Sequence, residues 1–178
     1  MEESIYYKLK GYLNEESIDL FYTFLHKSGC KKIEIERFKR DKLGFSEPSS
    51  IYLNTSIFEL PIHYFLYVVL HEISHQYQYK KYGKDFILRH YLDPKSYLDF
   101  WKIEVIADRL AIVKTLQILR KNNSDSNLKL ISVYNTEDKK ESVKKYLEDL
   151  HKEIGKLGIK TIDEINKYLI QKSKQDVQ

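Results

Sequence analysis

The order of apolar and polar residues predicts a helix followed by two short strands near the start of the chain. Apolar side chains recur at helical spacing after Asn14, which can cap a helix, and Gly29 ends that pattern. Ile33–Phe38 then alternates apolar and polar residues with the period of a half-buried strand, and Ile51–Asn54 predicts a second strand. The intervening residues 43–50 are rich in glycine, proline and serine, so we expect a loop there.

Longer helical patterns fill the remainder of the chain. One helix is predicted from Pro61, which is favourable in a first turn, to Gly83, which is a common helix stop. Asp93–Pro94 predicts the start of another long helix that reaches Lys121. After a polar segment we expect two further helices, the last of which begins with the capping-box pattern Thr161–Glu164. The few short strands and the helical majority together predict a helix-rich α+β fold.

Length and composition are those of one globular domain. The 178 residues are 42% hydrophobic and 31% charged, which excludes a mainly disordered chain. We predict a single domain over residues 1–178, with a core at about residues 30–121 and a helical extension at about residues 122–178.

Charge and cysteine content narrow the location and the partners. The net charge is +4, and basic side chains exceed acidic ones by 2 in residues 1–120 and by 2 in residues 121–178. The excess is spread evenly, whereas nucleic-acid-binding surfaces usually cluster their basic residues. No apolar run is long enough for a membrane span, and the first residues lack the pattern of a signal peptide. The single Cys30 fits a reducing compartment. The sequence therefore predicts a cytoplasmic protein with no membrane partner and argues against nucleic acid as a partner.

An H-E-x-x-H motif, His71-Glu-Ile-Ser-His75, lies in the middle of the helix predicted from Pro61. Positions i and i+4 share a helix face, so the two imidazoles can converge on one metal ion. Glu72, beside the first histidine, can accept the proton of a metal-activated water. The alternative is that the two histidines only pack on a buried helix face, and the motif favours metal chemistry over it.

The third metal ligand is expected from the next predicted helix, because a catalytic zinc site has three protein ligands and an open fourth position. Glu104 and Asp108, again four residues apart, lie there among apolar residues, so both acids face an apolar side. A buried acid needs a partner. Glu104 can therefore bind the metal while Asp108 accepts the free N–H of a ligating histidine. His90, which follows His75 by 15 residues, is the alternative third ligand.

The chain resembles a gluzincin-type zinc metallopeptidase and is most similar within that class to compact ImmA/IrrE-like domains. Those domains carry H-E-x-x-H on one helix and E-x-x-A-[ND]-x-[FL]-A on a later one, and Glu104–Ala111 fits the second pattern throughout. The resemblance covers roughly residues 30–120. It implies a zincin-like fold in which an edge strand aligns the substrate, with Glu72 as general base. The zinc ligands that it implies are His71, His75 and Glu104. It also implies cytoplasmic hydrolysis of a protein or peptide substrate.

Two parts of the site stay open in the sequence: the strand that aligns the substrate and the donor that stabilises the oxyanion. Ile51–Asn54 is predicted to be the edge strand to which an extended peptide adds. The candidate oxyanion donors are Tyr77, Tyr79, Tyr82, His90 and Tyr91. His90 and Tyr91 are favoured among them because they lie between the two ligand-bearing helices.

Other functions remain alternatives. One is a zincin-like regulatory domain that binds zinc or protein without peptidase activity, although the presence of Glu72 argues against it. Another is a DNA-associated protease of the SprT kind, in which Tyr82-Gly-Lys-Asp-Phe86 would align with an H-G-x-x-F pattern and Tyr82 would replace a ligand. The even distribution of lysine argues against that alternative. A nucleic-acid-binding module has no recognised motif in its support.

Overall fold

The computed structural model describes residues 2–38, 43–85 and 97–123, together with Lys152, residues 155–158 and Glu164. In the described residues up to position 123 the fold is α+β, as the sequence predicts, and the elements with defined bounds are four α-helices, a short 3-10 helix and one three-stranded sheet. The elements in chain order are α1 (Glu2–Lys10), α2 (Glu15–Ser28), β1 (Lys32–Glu36), β2 (Gly44–Glu47), β3 (Ser50–Asn54), the 3-10 helix (Thr55–Glu59), α3 (Ile62–Tyr82) and α4 (Tyr97–Lys121).

The boundaries of α2 and α3 follow the local signals in the sequence. The Asn14 side chain accepts a hydrogen bond from the backbone N–H of Ser17 at the start of α2, and Gly29 ends the helix in a left-handed conformation with φ of 85°. Helix α3 begins directly after Pro61 and ends directly before Gly83. These predictions are confirmed, as is the end of α4 at Lys121.

Three predicted features lie outside the described residues. They are the Asp93–Pro94 start of the fourth helix, most of the polar segment that follows Lys121, and the two C-terminal helices apart from a few positions between Lys152 and Glu164. Helix α4 is described from Tyr97 onward.

The sheet corrects two predictions. Residues 43–50 were expected to be a loop, but Gly44–Glu47 forms strand β2, which pairs antiparallel with β3 through a tight turn in which Ser49 has φ of 70°. The strand order is β1-β3-β2, with β1 parallel to β3, so Ile51–Asn54 belongs to the central strand and is not an edge. The local sequence misled here because β2 is defined by its hydrogen bonds to β3 and not by an alternating pattern of its own.

Helix α1 was not anticipated, and it belongs to the main hydrophobic core. Its Ile5 and Leu9, one helical turn apart, are buried together with Phe21 of α2 and Leu53 of β3. Residues from α3 and α4 complete the same cluster, so all four helices and the sheet share one core.

Helix α3 is central to the fold because it packs on α4 along one side and on β2 along another. Helix α4 is also fixed to α2, since the Ser17 hydroxyl donates to the carbonyl of Ile118 at 3.0 Å. Within the described part of the chain, no helix combines the length and the apolar character needed to cross a membrane.

Candidate metal centre

The two histidines of the H-E-x-x-H motif meet on one face of α3. His71 and His75 are one helical turn apart, and their Nε2 atoms lie 3.0 Å from each other. His71 is only 9% exposed, and His75 is half-buried. The helical spacing therefore brings two imidazole nitrogens to one point.

Helix α4 brings a carboxylate to the same point. Glu104 Oε2 lies 3.3 Å from Nε2 of His71, and Oε1 lies 3.3 Å from Nε2 of His75. Glu104 is 8% exposed, so its charge is largely removed from solvent. Among the described residues, His71, His75 and Glu104 form a group that could hold a metal ion.

Hydrogen bonds on the far side of each ring fix which nitrogen faces the group. Asp108 Oδ1 lies 3.1 Å from Nδ1 of His71 and also accepts the hydroxyl of Tyr67. Gln78 Oε1 lies 2.8 Å from Nδ1 of His75, and the Gln78 amide nitrogen donates to the carbonyl of Ile103 at 2.8 Å, which sets the orientation of the amide.

Because both acceptors face Nδ1, each ring keeps a proton there, which leaves Nε2 facing Glu104 and, in the neutral ring, able to bind a metal ion. Asp108, which the sequence predicts as the acceptor for a ligating histidine, lies beside Nδ1 of His71, whereas Tyr67 and Gln78 were not predicted. Both lie within one helical turn of a motif histidine, so the helical period could have revealed them.

The electrostatics of the group favour a cation. Burial by itself would lower the pKa of His71, but hydrogen bonds to Asp108 and Glu104 outweigh it and raise that pKa to about 10. For His75, burial again lowers the pKa, and the charge of Glu104 and its hydrogen bond outweigh it, so the pKa is raised. Burial would raise the pKa of Glu104, yet the adjacent His75 and His71 hold it well below its usual range.

The donor set fits zinc. Two neutral imidazole nitrogens and one carboxylate form a common catalytic zinc set, and neighbouring ligands of a tetrahedral zinc with bonds of about 2.0–2.1 Å are separated by about 3.3 Å. The separations here are 3.0 Å between the two nitrogens and 3.3 Å from each nitrogen to a carboxylate oxygen. Nitrogen lone pairs and carboxylate oxygens this close repel one another unless a proton or a metal ion lies among them.

The motif glutamate faces the sheet. Glu72 is 6% exposed, and its Oε2 accepts the hydroxyl of Ser46 in β2 at 2.9 Å. Gly44, in the same strand, passes so close that a Cβ atom built there would lie 3.2 Å from Cγ of Glu72. Ser46 was not predicted as a site residue, because its segment was expected to be a loop.

The candidate oxyanion donors divide into three groups. The hydroxyls of Tyr77 and Tyr79 donate to the carbonyls of Phe24 and Ser46, at 2.9 and 3.1 Å, so both serve the packing of α3. Tyr82, which the SprT-like alignment would place at a ligand position, is 43% exposed at the end of α3. His90 and Tyr91 lie outside the described residues.

Comparison with known proteins identifies no relative of this chain. No family model matches the chain, and neither a curated protein nor a solved structure matches it.

Proposed function

We propose that this protein is a gluzincin-type zinc metallopeptidase, similar to ImmA/IrrE-like domains, that hydrolyses peptide bonds of a protein substrate. The observation that carries the proposal is the contact of Glu104 in α4 with both motif histidines of α3. The Nε2 atoms of His71 and His75 and the carboxylate of Glu104 lie together, and Glu72 follows His71 directly in the motif. We also propose that the protein acts in the cytoplasm, which is consistent with the single cysteine of the sequence.

His71, His75 and Glu104 would hold the zinc ion. When bound, zinc polarises a substrate carbonyl and lowers the pKa of water. Glu72 accepts the proton of the attacking water and later donates it to the leaving amine. Asp108 and Gln78 keep the histidine rings oriented for binding through their Nε2 atoms.

The substrate would bind along β2. In the described sheet β2 has β3 on one side only, and it lies directly beside Glu72, so an extended peptide can add to its open side. This assignment replaces Ile51–Asn54, which lies in the central strand and is paired on both sides.

Metal analysis tests the proposed ligands. Protein purified without chelators and supplied with zinc should retain about one zinc ion per chain, and Glu104→Gln should lose most of it because one anionic ligand is gone. Glu59→Gln changes an exposed glutamate and serves as the matched control. Equal zinc content in all three proteins would contradict the assignment of Glu104.

Hydrolysis of fluorescein-labelled casein and of a quenched fluorogenic peptide library tests the activity. Glu72→Gln should keep the zinc and lower the rate by about 10²–10⁴-fold, which is the usual contribution of a general base. Wild-type protein that binds zinc but cleaves nothing would instead favour the zincin-like regulatory domain.

A further inference from the structure

Strand β2 contacts the motif glutamate through a serine hydroxyl. Ser46 Oγ lies 2.9 Å from Oε2 of Glu72 and also 2.9 Å from the backbone carbonyl oxygen of Glu72. One hydroxyl therefore contacts the side chain and the backbone of the same residue, and its single proton is shared between two acceptors. A hydrogen bond to a carboxylate is stronger than one between neutral groups, so this contact restrains the orientation of the carboxylate.

The close approach of β2 to Glu72 favours glycine at position 44. A Cβ atom there would lie 3.2 Å from Cγ and 3.3 Å from Oε1 of Glu72, and 3.1 Å from the carbonyl oxygen of Tyr52. The Tyr52 carbonyl belongs to the paired strand β3 and cannot move aside easily, so the displaced group would be the Glu72 side chain. Gly44 and Ser46 thus face the same carboxylate from two positions of one strand.

Other hydrogen bonds fix β2 against α3. The Tyr79 hydroxyl donates to the Ser46 carbonyl at 3.1 Å. The Gln76 amide nitrogen donates to the carbonyls of Glu47 and Ser50 at 2.8 and 2.9 Å, and its oxygen accepts the backbone N–H of Ser49 at 3.0 Å. Ser46 is therefore held in place from both its backbone and its side chain.

We propose that Ser46 is a positioning residue for the general base, with Gly44 providing the space for the carboxylate of Glu72. The inference rests on the proposed function, in which Glu72 accepts the proton and β2 aligns the substrate. One strand then fixes both the substrate backbone and the base that serves it, which keeps the reacting groups in a near-attack arrangement.

Steady-state kinetics on the best peptide from the fluorogenic library test this role. Ser46→Ala should lower kcat by about 10-fold to 100-fold, since it removes a hydrogen bond to a charged group, with KM changed by less than about 3-fold because the backbone of β2 is intact. Ser46→Thr keeps the hydroxyl and should recover most of kcat. Zinc content should equal that of the wild type in both variants.

A second variant and two controls separate positioning from folding. Gly44→Ala should also lower kcat at unchanged zinc content, because the new methyl group displaces Glu72. Gly11→Ala is its control, since a Cβ there meets nothing closer than 3.6 Å. Ser17→Ala removes a buried hydroxyl whose bond is to the Ile118 carbonyl, far from the catalytic residues in sequence, and should leave kcat unchanged.

Thermal unfolding provides a readout that does not depend on activity. If Ser46 and Glu72 interact, Ser46→Ala should lower Tm in the wild-type background and lower it less when Glu72→Ala is already present. Equal losses of Tm in the two backgrounds would show that the two side chains are not coupled and would overturn the inference.

The kinetic outcomes distinguish the two proposals. Wild-type kcat in Ser46→Ala, beside an inactive Glu72→Gln, would overturn the positioning role and leave the peptidase standing. A low kcat that Ser46→Thr does not restore, or a loss of zinc in Ser46→Ala, would also overturn it. No hydrolysis by the zinc-loaded wild type would overturn the proposed function, and the role of Ser46 with it.

Discussion

Replacement of Asp108 by asparagine should weaken zinc binding although Asp108 is not one of the proposed zinc ligands. Asp108 is fully buried, accepts the hydroxyl of Tyr67, and lies 3.1 Å from Nδ1 of His71. Asparagine has nearly the same size and keeps an oxygen that can accept from Nδ1, so the geometry can persist. The substitution removes the negative charge that makes the imidazole a better electron donor.

The hydrogen bond of His71 sets the size of the expected effect. Hydrogen bonds to charged groups contribute about 1.5–3 kcal/mol, against about 0.5–1.5 kcal/mol for neutral pairs. The difference of about 1–1.5 kcal/mol corresponds to roughly a 10-fold change in an equilibrium constant. We therefore expect the zinc dissociation constant to rise by about 10-fold, at the lower end of the 10-fold to 100-fold range typical of groups that orient a metal ligand.

Competition with a chromogenic zinc chelator at pH 7.5 measures this constant. Asp19→Asn is the matched control because Asp19 is exposed on α2, and circular dichroism before and after chelation checks that each variant is folded. An Asp108→Asn affinity within about 2-fold of the wild type, in a folded protein, would refute the argument that the His71–Asp108 contact supports the metal.

Three further predictions concern pH, the core and a helix end. In chelated, metal-free protein, the contribution of His71 to the free energy of unfolding is complete below pH 6.5 and is lost as pH rises through its raised pKa of about 10. The stabilisation provided by Glu104, whose pKa is lowered, is present above pH 4.5 and is lost at lower pH. The calorimetric Tm should therefore decline from pH 6.5 to 10 as His71 loses its proton, and a rise would contradict the protonation of the cluster. Phe65→Ala empties a fully buried site and should cost about 3–5 kcal/mol in urea unfolding, and a cost below about 2 kcal/mol would contradict its place in the core. Asn14→Ala removes the cap of α2 and should cost about 1–2 kcal/mol in the same assay, whereas no loss would argue against the cap.

The helices were predictable because their ends carry local signals. Asn14 and Gly29 bound α2, and Pro61 and Gly83 bound α3, each through a preference of that residue for its own backbone conformation. Helix α1 lacked such a signal, and it is held by Ile5 and Leu9, two buried positions that are too few to define a period.

The sheet was less predictable because its order depends on contacts between distant residues. Strand β2 is only four residues long, and Gly44 weakens any strand pattern. Its hydrogen bonds come from β3 and from Gln76 of α3, which lies 29 residues after Glu47 and is invisible in a local window. The error on β2 caused the error on the edge strand, since without β2 the strand β3 has an open side.

The residues of the candidate site also differ in how far the sequence could predict their contacts. The spacing of His71 and His75 is a property of one helix, so their convergence could be read from the sequence. The pair Glu104 and Asp108 could be placed on one face of its helix in the same manner, and the structure brings that face to the histidines. The contacts of Glu72 could not be read in this way, because they belong to the strand that was missed.

The H-E-x-x-H spacing gives α3 two polar rows with different partners. The row that faces α4 consists of His71, His75 and Gln78. The row that faces β2 and its turn consists of Glu72, Gln76 and Tyr79. The rows are offset by one residue, which is a rotation of about 100° around the helix.

This offset separates the contacts that support the proposed metal ligands from those that support the proposed base. Changes on the α4 side, such as Asp108→Asn, act on ligand orientation and should alter zinc affinity first. Changes on the β2 side, such as Ser46→Ala, act on Glu72 and should alter kcat while the zinc stays bound. Helix α3, packed between a helix and a strand, thus directs the proposed ligands toward one neighbour and the proposed base toward the other, so we expect zinc affinity and kcat to be perturbed independently. If every variant on both sides lost zinc and activity together, α3 would be acting as one structural unit and this division would be wrong.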